Sequence, residues 1–341
     1  MAQIDKPNLH FNTKLHTGTG STTTITGVGF QPDMTWWKSR SNAVNHALYD
    51  AVRGGSKLLR PNQTNAEETN AAVSAFTSDG VTLTGGDAFT NTSGYTYASW
   101  NWKANGTGSS NTNGTITSTV SANQTAGFSI VKYTGNGTAG ATIGHGLSSV
   151  PNVVLIKALT SSTQQWNMYH SSLGNGSHMH FNLTNAVNSS STYFNNTTPT
   201  SSVFSVGSYF ETNESSTDFI AYCFAEKKGY SKFGSYTGNG NADGTFVYTG
   251  FKPAFVIIKE TSDTGNWCMS DNKRDGYNPT KNLYVDKSDV ENTANTIDHY
   301  SNGFKIRSTG GSVNTSGSNM IYMAFAEEPL VGTNNIPATA R

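Results

Sequence analysis

Two histidines separated by one residue are the first candidates for chemistry in this chain. His178 and His180 flank Met179, and His170 lies a short distance upstream. Side chains at alternate positions of a β-strand point to the same face, so a strand here would bring both imidazoles together. An imidazole pair can bind a transition metal, but no nearby carboxylate or cysteine completes the ligand set. We therefore predict no metal and no cofactor and expect exposed histidines. His178 and His180 remain the candidate ligands for the alternative of a metal site.

Acidic residues give no second candidate for a site. Residues 271–276 (Asp-Asn-Lys-Arg-Asp-Gly) resemble a calcium loop, but Lys273 stands where an oxygen ligand is needed. A glycoside hydrolase needs two carboxylates held close together, and the acids of this chain share no local pattern. A nucleophile elbow and a phosphate loop are also missing from the sequence. We therefore predict that the protein is not an enzyme.

Two adjacent tryptophans are the candidate contact residues. Trp36 and Trp37 lie in an apolar run typical of a strand, so one indole should face the core and the other the opposite side. An outward tryptophan could stack on a glycan or anchor a protein interface. A neighbouring copy of the same domain could instead cover it.

The composition predicts a folded all-β protein. Thr, Val, Ile, Tyr, Phe and Trp take the place of helix-forming runs, and 35 glycines supply turns. The balance of 22 basic and 22 acidic residues argues against nucleic-acid binding, and no apolar run is long enough for membrane insertion. The start of the chain lacks a signal peptide, which predicts synthesis in a cytoplasm. Cys223 and Cys268 lie in different repeats and are expected to be free thiols.

Three copies of one pattern cover most of the chain. Tyr-Thr-Gly-Asn-Gly occurs at residues 133–137 and 236–240, with a degenerate copy at residues 16–20. After each turn come a proline and an apolar run that ends in a lysine at the same distance from the proline. Each copy closes on another apolar run, at residues 97–102, 220–226 and 321–327. A sequence period of this kind indicates repeated structural units.

Short alternating segments separated by Asp-Gly, Asn-Gly and Gly-Asn-Gly turns predict that each copy, of about 100 residues, is an antiparallel β-sandwich. We expect a helix of one or two turns at residues 65–76, where alanines follow two glutamates. The predicted organisation is three tandem sandwich domains at 15–104, 125–228 and 229–328. An extended arm at 1–14, a flexible or loosely pleated Gly/Asn/Ser/Thr-rich linker at 105–124 and a tail at 329–341 complete the chain.

These motifs resemble a domain family of uncharacterised function found in bacteriophages, particularly marine ones, in predicted tail-fibre and other virion structural proteins. The similarity covers most of residues 15–330 and is best in the first copy. It depends on the turn motif, on Gly-Phe-Gln-Pro-Asp at 29–33 followed by the run to Lys38, on residues 49–54, and on residues 78–80 and 100–103. The second copy carries the same frame at 166–173 and the third at 266–269, and the ending at 325–329 and 337–341 is also similar.

The resemblance implies a virion component made in the host bacterial cytoplasm and no transferable catalytic residue. We expect a tail-fibre or baseplate-type part that acts in host attachment or particle assembly, with other virion proteins and a host surface glycan or protein as partners. A homo-oligomer, with a trimer favoured, follows by analogy with phage fibres. The alternatives are a capsid decoration protein on the head surface and, from another class, a lectin-like glycan-binding module or a polysaccharide depolymerase.

Overall fold

Antiparallel β-strands make up most of the protein. The computed structural model describes residues 2–275, 278 and 280–332. Within these residues the helices are short: α1 is Ser191–Phe194 and α2 is Phe210–Asn213, and 3-10 turns occur at Pro7–Leu9, Ser171–Leu173 and Gly311–Val313. The predicted all-β class is confirmed.

The strands fall into three consecutive groups that follow the sequence copies. The first group is β1 (Phe11–Thr17), β2 (Thr23–Ile25), β3 (Met34–Ser39), β4 (Ala47–Asp50), β5 (Gly54–Leu59), β6 (Glu68–Thr69), β7 (Val73–Thr77), β8 (Gly80–Leu83) and β9 (Thr96–Trp102). The second is β10 (Ser109–Asn111), β11 (Ser118–Asn123), β12 (Phe128–Thr134), β13 (Ala141–Gly144), β14 (Val153–Ala158), β15 (Asn167–His170), β16 (Ser177–His180), β17 (Asn188–Ser189), β18 (Val203–Val206) and β19 (Asp218–Phe224). The third is β20 (Ser231–Thr237), β21 (Phe246–Tyr248), β22 (Phe251–Glu260), β23 (Cys268–Asp271), β24 (Thr280–Tyr284), β25 (Asn292–Tyr300), β26 (Gly303–Ile306) and β27 (Asn319–Pro329).

The main sheets of the three groups have the same strand order. It runs β1-β9-β3-β4-β5 in the first group, β12-β19-β14-β15-β16 in the second and β20-β27-β22-β23-β24 in the third. The register of the central strands also agrees, because the residue four places after the motif proline pairs with the closing run each time. These pairs are Trp36 with Trp100, Leu155 with Tyr222, and Ile257 with Met323. Equivalent residues of the three repeats can therefore be assigned from the pairing.

A second layer of strands packs on one face of each main sheet. Strands β2, β8 and β7 form it in the first repeat, and β13 and β18 form it in the second. In the third repeat β25, β26 and β21 continue the main sheet beyond β24 and fold back onto its face. Each layer encloses its own apolar cluster, with Trp37, Ile156 and Ile258 at equivalent places on the main sheets. This face-to-face arrangement gives each repeat a two-layered core, as in β-sandwiches.

The other face of each main sheet belongs to one large cluster that contains residues of all three repeats. Because side chains alternate along a strand, the neighbours of the residues that face a repeat's own core point into this common cluster. Trp36, Leu155 and Ile257 lie there. The repeats thus share one apolar core and are not three separately closed units.

The turn motif at the start of each repeat has a steric reason. A Cβ on Gly18, Gly135 or Gly238 would come within 2.0–2.4 Å of a backbone oxygen in the loop before the closing strand. The next residue donates its backbone N–H to the side-chain oxygen of a fully buried asparagine in that loop. The asparagines are Asn91, Asn213 and Asn314. The motif thus ties the first strand of each repeat to its last loop.

The structure corrects three predictions from the sequence. Residues 65–76 contain β6 and the start of β7 instead of a helix. The arm at 1–14 already contains a 3-10 turn and most of β1, whose Phe11 pairs with Trp102. Residues 105–124 contain β10 and β11, which extend the second main sheet beyond β12. Backbone pairing needs no apolar side chain, so a polar segment can complete a sheet edge. Of the predicted tail, residues 333–341 lie outside the described residues.

Candidate functional site: the core shared by the three repeats

Three seams join the repeats in a closed cycle. The first seam joins repeats one and two, the second joins repeats two and three, and the third joins repeats three and one. At each seam the donor is a backbone N–H between the fifth main-sheet strand and the strand that follows it. The acceptor is the backbone oxygen of the residue eight places after the next repeat's motif proline. These bonds are Glu67 N to Leu159 O (2.8 Å), Val187 N to Thr261 O (3.0 Å) and Glu291 N to Arg40 O (3.0 Å). Head-to-tail contacts of this kind form a ring when the rotation closes.

A second set of bonds repeats at the residue before the fourth main-sheet strand. Trp166 Nε1 donates to Arg60 O across the first seam at 3.0 Å, and Trp267 Nε1 donates to His180 O across the second at 3.1 Å. His46 takes this place at the third seam, where its Nε2 lies 2.9 Å from Tyr284 O. Its Nδ1 accepts from Trp36 Nε1, so Nε2 carries the proton given to Tyr284.

Buried ion pairs hold the first and third seams. Asp50 pairs with Arg53 at 2.5 Å and accepts a hydrogen bond from the Tyr222 hydroxyl of the second repeat at 2.7 Å. The first repeat's Trp100 Nε1 likewise donates to Asp271 of the third repeat, at 3.1 Å. Each carboxylate thus links its own repeat to the closing strand of another.

The second of these ion pairs joins Asp271 to Arg274 at 2.6 Å, and both side chains are fully buried. Burial alone would raise the pKa of Asp271, but the Arg274 guanidinium and its hydrogen bonds hold it below the usual value. Glu291 accepts from Arg274 at 3.1 Å and from Arg40 of the first repeat at 2.8 Å. A buried pair of this kind is stable because hydrogen bonds satisfy both ions.

The second seam lacks this ion pair. His170 occupies the place of the aspartates, and Leu173 stands where the arginines are. His170 Nδ1 accepts from Ser172 N at 3.2 Å, and its Nε2 lies 3.3 Å from Tyr322 O of the third repeat. Burial lowers the pKa of His170 to about 4, so the ring is neutral at pH 7.

At the centre, equivalent aromatic side chains from the three closing strands contact one another. Trp102, Phe224 and Phe325 have ring centroids 5.5–6.4 Å apart. The cavity beside them has a volume of only about 30 Å³, and its lining is apolar and comes from all three repeats. This centre is therefore a packed core with no space for an organic ligand.

The lysine that ends each apolar run is fully buried. Lys38, Lys157 and Lys259 donate to backbone oxygens, and burial lowers the pKa of each to about 8. Lys157 also donates to Thr64 O of the first repeat at 3.0 Å. These buried amines therefore hold the neighbouring loops in place.

The structure brings the two candidate metal ligands together but gives them other partners. The rings of His178 and His180 lie 5.3 Å apart, and His178 stacks on Tyr193 with a centroid distance of 3.6 Å. Burial lowers the pKa of both histidines to about 4. His178 is only 2% exposed, so the expectation of exposed histidines is wrong for it. Among the described residues, no group of three or more His, Cys, Asp or Glu side chains is arranged to hold a metal ion.

Neither candidate tryptophan is available for an outside partner. Trp36 is 4% exposed and lies in the shared core, 5.8 Å from the ring of Phe181 in the second repeat. Trp37 is fully buried in the core of its own repeat. The predicted alternation is confirmed, and another repeat of the same chain covers the outward indole. Glycan contact through Trp36 or Trp37 is therefore wrong.

The remaining sequence candidates are structural too. The resemblance of residues 271–276 to a calcium loop does not extend to function, because Asp271 is already paired with Arg274. Cys223 and Cys268 are buried free thiols, and burial raises the pKa of Cys268 to about 12. No helix in the described part of the chain has the length and hydropathy to cross a membrane.

Sequence reasoning missed the Asp-x-x-Arg pairs, although their equal spacing at residues 50–53 and 271–274 is visible in the sequence. The comparisons with known proteins agree with a unit that includes all three repeats. A family model described as a domain of unknown function (DUF7483) matches residues 6–329 as one stretch. No curated protein and no solved structure matches the chain. The chain belongs to this family, whose model covers the closed set of three repeats.

Proposed function

We propose that this chain is a structural protein of a bacteriophage particle that acts by binding, as a tail-fibre or baseplate-type part in host attachment or assembly. The observation that carries the proposal is the closed cycle of seams. The chain uses its apolar sheet faces and its buried ion pairs for its own cohesion, and the turns and loops of each repeat remain on the outside. Loops on a rigid β-scaffold are suited to binding partners.

The buried polar groups support the same proposal, because their hydrogen bonds are used within the fold. The shared core is apolar, the three motif lysines are buried and donate to backbone oxygens, and the described residues contain no cluster of three or more His, Cys, Asp or Glu side chains that could hold a metal ion. The sequence motifs that resemble phage virion proteins are the ones that build the seams and the turns, which fits a part selected for rigidity. Other virion proteins and a host surface molecule are the proposed partners.

Capsid decoration is a second candidate, and the cycle of three equivalent repeats favours it. One chain with three similar faces could occupy a position with local threefold symmetry, which a decoration protein otherwise fills as a homotrimer. Because a single chain already supplies three repeats, it would not need to form a homotrimer to present three similar faces. The homotrimer predicted from the sequence remains a prediction.

Copy number in purified particles tests both candidates. Cryo-electron microscopy of the phage that encodes the chain, with quantitative mass spectrometry of the same particles, would locate and count it. A few copies on the tail are expected for the adhesion role, and many ordered copies on the head would replace it with decoration. A chain absent from purified particles would overturn both.

A further inference from the structure

The third repeat carries three aromatic side chains on the outer face of its second layer. Phe246 and Tyr248 project outward from β21 and are 44% and 53% exposed, while Val247 between them is buried. The pairing places Tyr300 of β25 beside them, across Gly303 of β26. The rings of Phe246 and Tyr300 lie 6.0 Å apart at 76°. We call Phe246, Tyr248 and Tyr300 the aromatic platform.

The fold does not need aromatic residues there. By register, Thr24, Thr26 and Thr77 occupy the equivalent positions in the first repeat. In the second repeat Thr142 stands at the place of Phe246 and bonds to Thr115. The core residue between the two outward positions stays aliphatic in all three repeats, as Ile25, Ile143 and Val247. Aromatics at only the outward positions of one repeat indicate a contact that the other two do not make.

Glycine at position 303 shapes the platform. A Cβ there would come within 2.1 Å of Val247 O and 3.1 Å of the Phe246 ring. The Phe246 ring therefore lies over β26, in the space that a side chain at position 303 would occupy. This leaves a shallow aromatic surface, with rings available on an otherwise polar sheet.

The charged groups around the platform are paired with one another. Lys305 bonds to Asp243, and Arg307 contacts Asp298 at 3.3 Å. The Tyr300 hydroxyl donates to Asp298 at 3.3 Å. The rim thus offers hydrogen-bonding oxygens and nitrogens with little net charge, which suits neutral hydroxyl groups better than an anionic ligand.

A cavity of about 390 Å³ adjoins Tyr248. Glu226, Lys232 and Leu330 are among its lining residues, and Lys232 Nζ donates to Tyr248 O and lies 5.5 Å from the ring centroid. Its size is at the lower end of the range for small-molecule sites, roughly 300–1,000 Å³. A carboxylate and an ammonium beside an aromatic ring can bind the hydroxyls of a sugar.

We propose that the aromatic platform of Phe246, Tyr248 and Tyr300, with the adjoining cavity, binds a neutral pyranose saccharide. Aromatic rings stack on the apolar face of a sugar ring while nearby polar groups bind its hydroxyls. Three side chains are too few for a stable protein interface, which needs about 800 Å² on each partner. The inference rests on the proposed attachment function and names the chemical class that it recognises.

Affinity electrophoresis of the full chain tests this site. Native gels would contain dextran, laminarin or hydroxyethyl cellulose as neutral probes, and alginate as a polyanion. The expected result is retardation by at least one neutral polymer and none by alginate. The double variant Phe246→Thr/Tyr248→Thr, which copies the first repeat, should weaken binding about tenfold or more. Its thermal unfolding midpoint should stay at the wild-type value, because both side chains are exposed.

Phe210→Thr is the matched control, because Phe210 is 43% exposed on the second repeat and lies outside the platform. It should bind as the wild type does. A wild-type chain that binds none of the neutral polymers, a double variant that keeps full binding, or an equal loss in Phe210→Thr would each overturn the inference. A chain found in particles that binds no saccharide would refute this site alone and leave the virion proposal intact.

Discussion

The first and third seams differ from the second in the side chains that are buried between the repeats. Two seams contain a buried Asp–Arg pair that accepts a hydrogen bond from the next repeat, and the second contains neutral His170 and aliphatic Leu173. The backbone bonds and the apolar packing are present at all three. Apolar packing and main-chain hydrogen bonds therefore close the cycle at every seam. The buried space between two repeats is filled either by an Asp–Arg pair or by a neutral histidine with a leucine.

The cost of desolvation explains why both solutions occur. A buried carboxylate and guanidinium lose their hydration, and their attraction recovers that loss only when the geometry is good and the remaining lone pairs are bonded. At the third seam Trp100, Glu291 and backbone groups supply those bonds. At the second seam a neutral ring with two backbone partners avoids the problem.

The largest effect is expected at the centre that all three seams share. Trp102→Ala removes a ring that contacts Phe224 and Phe325 in the other repeats. The cavity left in a close-packed core should lower the free energy of unfolding by about 3–5 kcal/mol. Chemical denaturation measures the loss. A loss under about 1 kcal/mol would mean that the repeats do not depend on this contact.

Breaking one ion pair should have a comparable effect at the third seam. Arg274→Leu leaves the Asp271 carboxylate buried without its partner, and the expected loss in the free energy of unfolding is about 3–5 kcal/mol. Arg307→Leu is the control, because its pair with Asp298 is partly exposed and should contribute under about 1 kcal/mol. Equal losses in the two variants would contradict a special role for the buried pair.

Acid should weaken the second seam through His170. The unfolded chain binds a proton at this histidine with an ordinary pKa of about 6.5, whereas burial lowers the folded pKa to about 4. Acidification between these values favours the unfolded state, so the His170 contribution falls by about 2 kcal/mol from pH 7 to pH 5. Chemical denaturation at both pH values, in the wild type and in His170→Gln, measures it.

The difference between the two proteins isolates this residue, because His46, His178 and His180 also have lowered pKa values and remain in both. The variant should lose less stability than the wild type over that pH interval. Identical pH profiles would show that His170 is not the group responsible.

The smallest change in the free energy of unfolding is expected when the third seam is given the side chains of the second. Asp271→His/Arg274→Leu copies His170 and Leu173, so no buried charge is left unpaired. Replacing a buried ion pair as a unit is often nearly neutral, and the double variant should recover most of the loss seen in Arg274→Leu, to within about 1–2 kcal/mol of wild type. A double variant less stable than the single one would mean that the two fillings are not interchangeable.

Much of the fold follows from residue types and spacing. The offset between proline and lysine fixes the central strand of each repeat, and Trp36-Trp37 predicts one indole on each side of it. Each copy also ends in a similar apolar run, but only the structure shows that this closing strand pairs with the central strand. The turn glycines indicate that another part of the backbone lies close by, but the sequence does not show which segment it is.

The seams could not be predicted from one sequence. Asp50 is recognisable as important only when Asp271 is placed at the same register, and nothing local shows that its partner Tyr222 comes from another repeat. Composition gave the wrong prediction at residues 105–124, because segments rich in Ser and Thr occur in edge strands as well as in linkers. It also misled at 65–76, where short strands pair despite four alanines, since tertiary contacts override weak helix propensity.

Hydrogen exchange followed by mass spectrometry, on the full wild-type chain and on Trp102→Ala, tests whether the three repeats are one cooperative unit. If they share a core, the substitution in the first repeat should lower the protection of β19 and β27 by the same free energy as that of β3. A loss of protection confined to the strands between Phe11 and Trp102 would contradict the shared core and restore three independent domains.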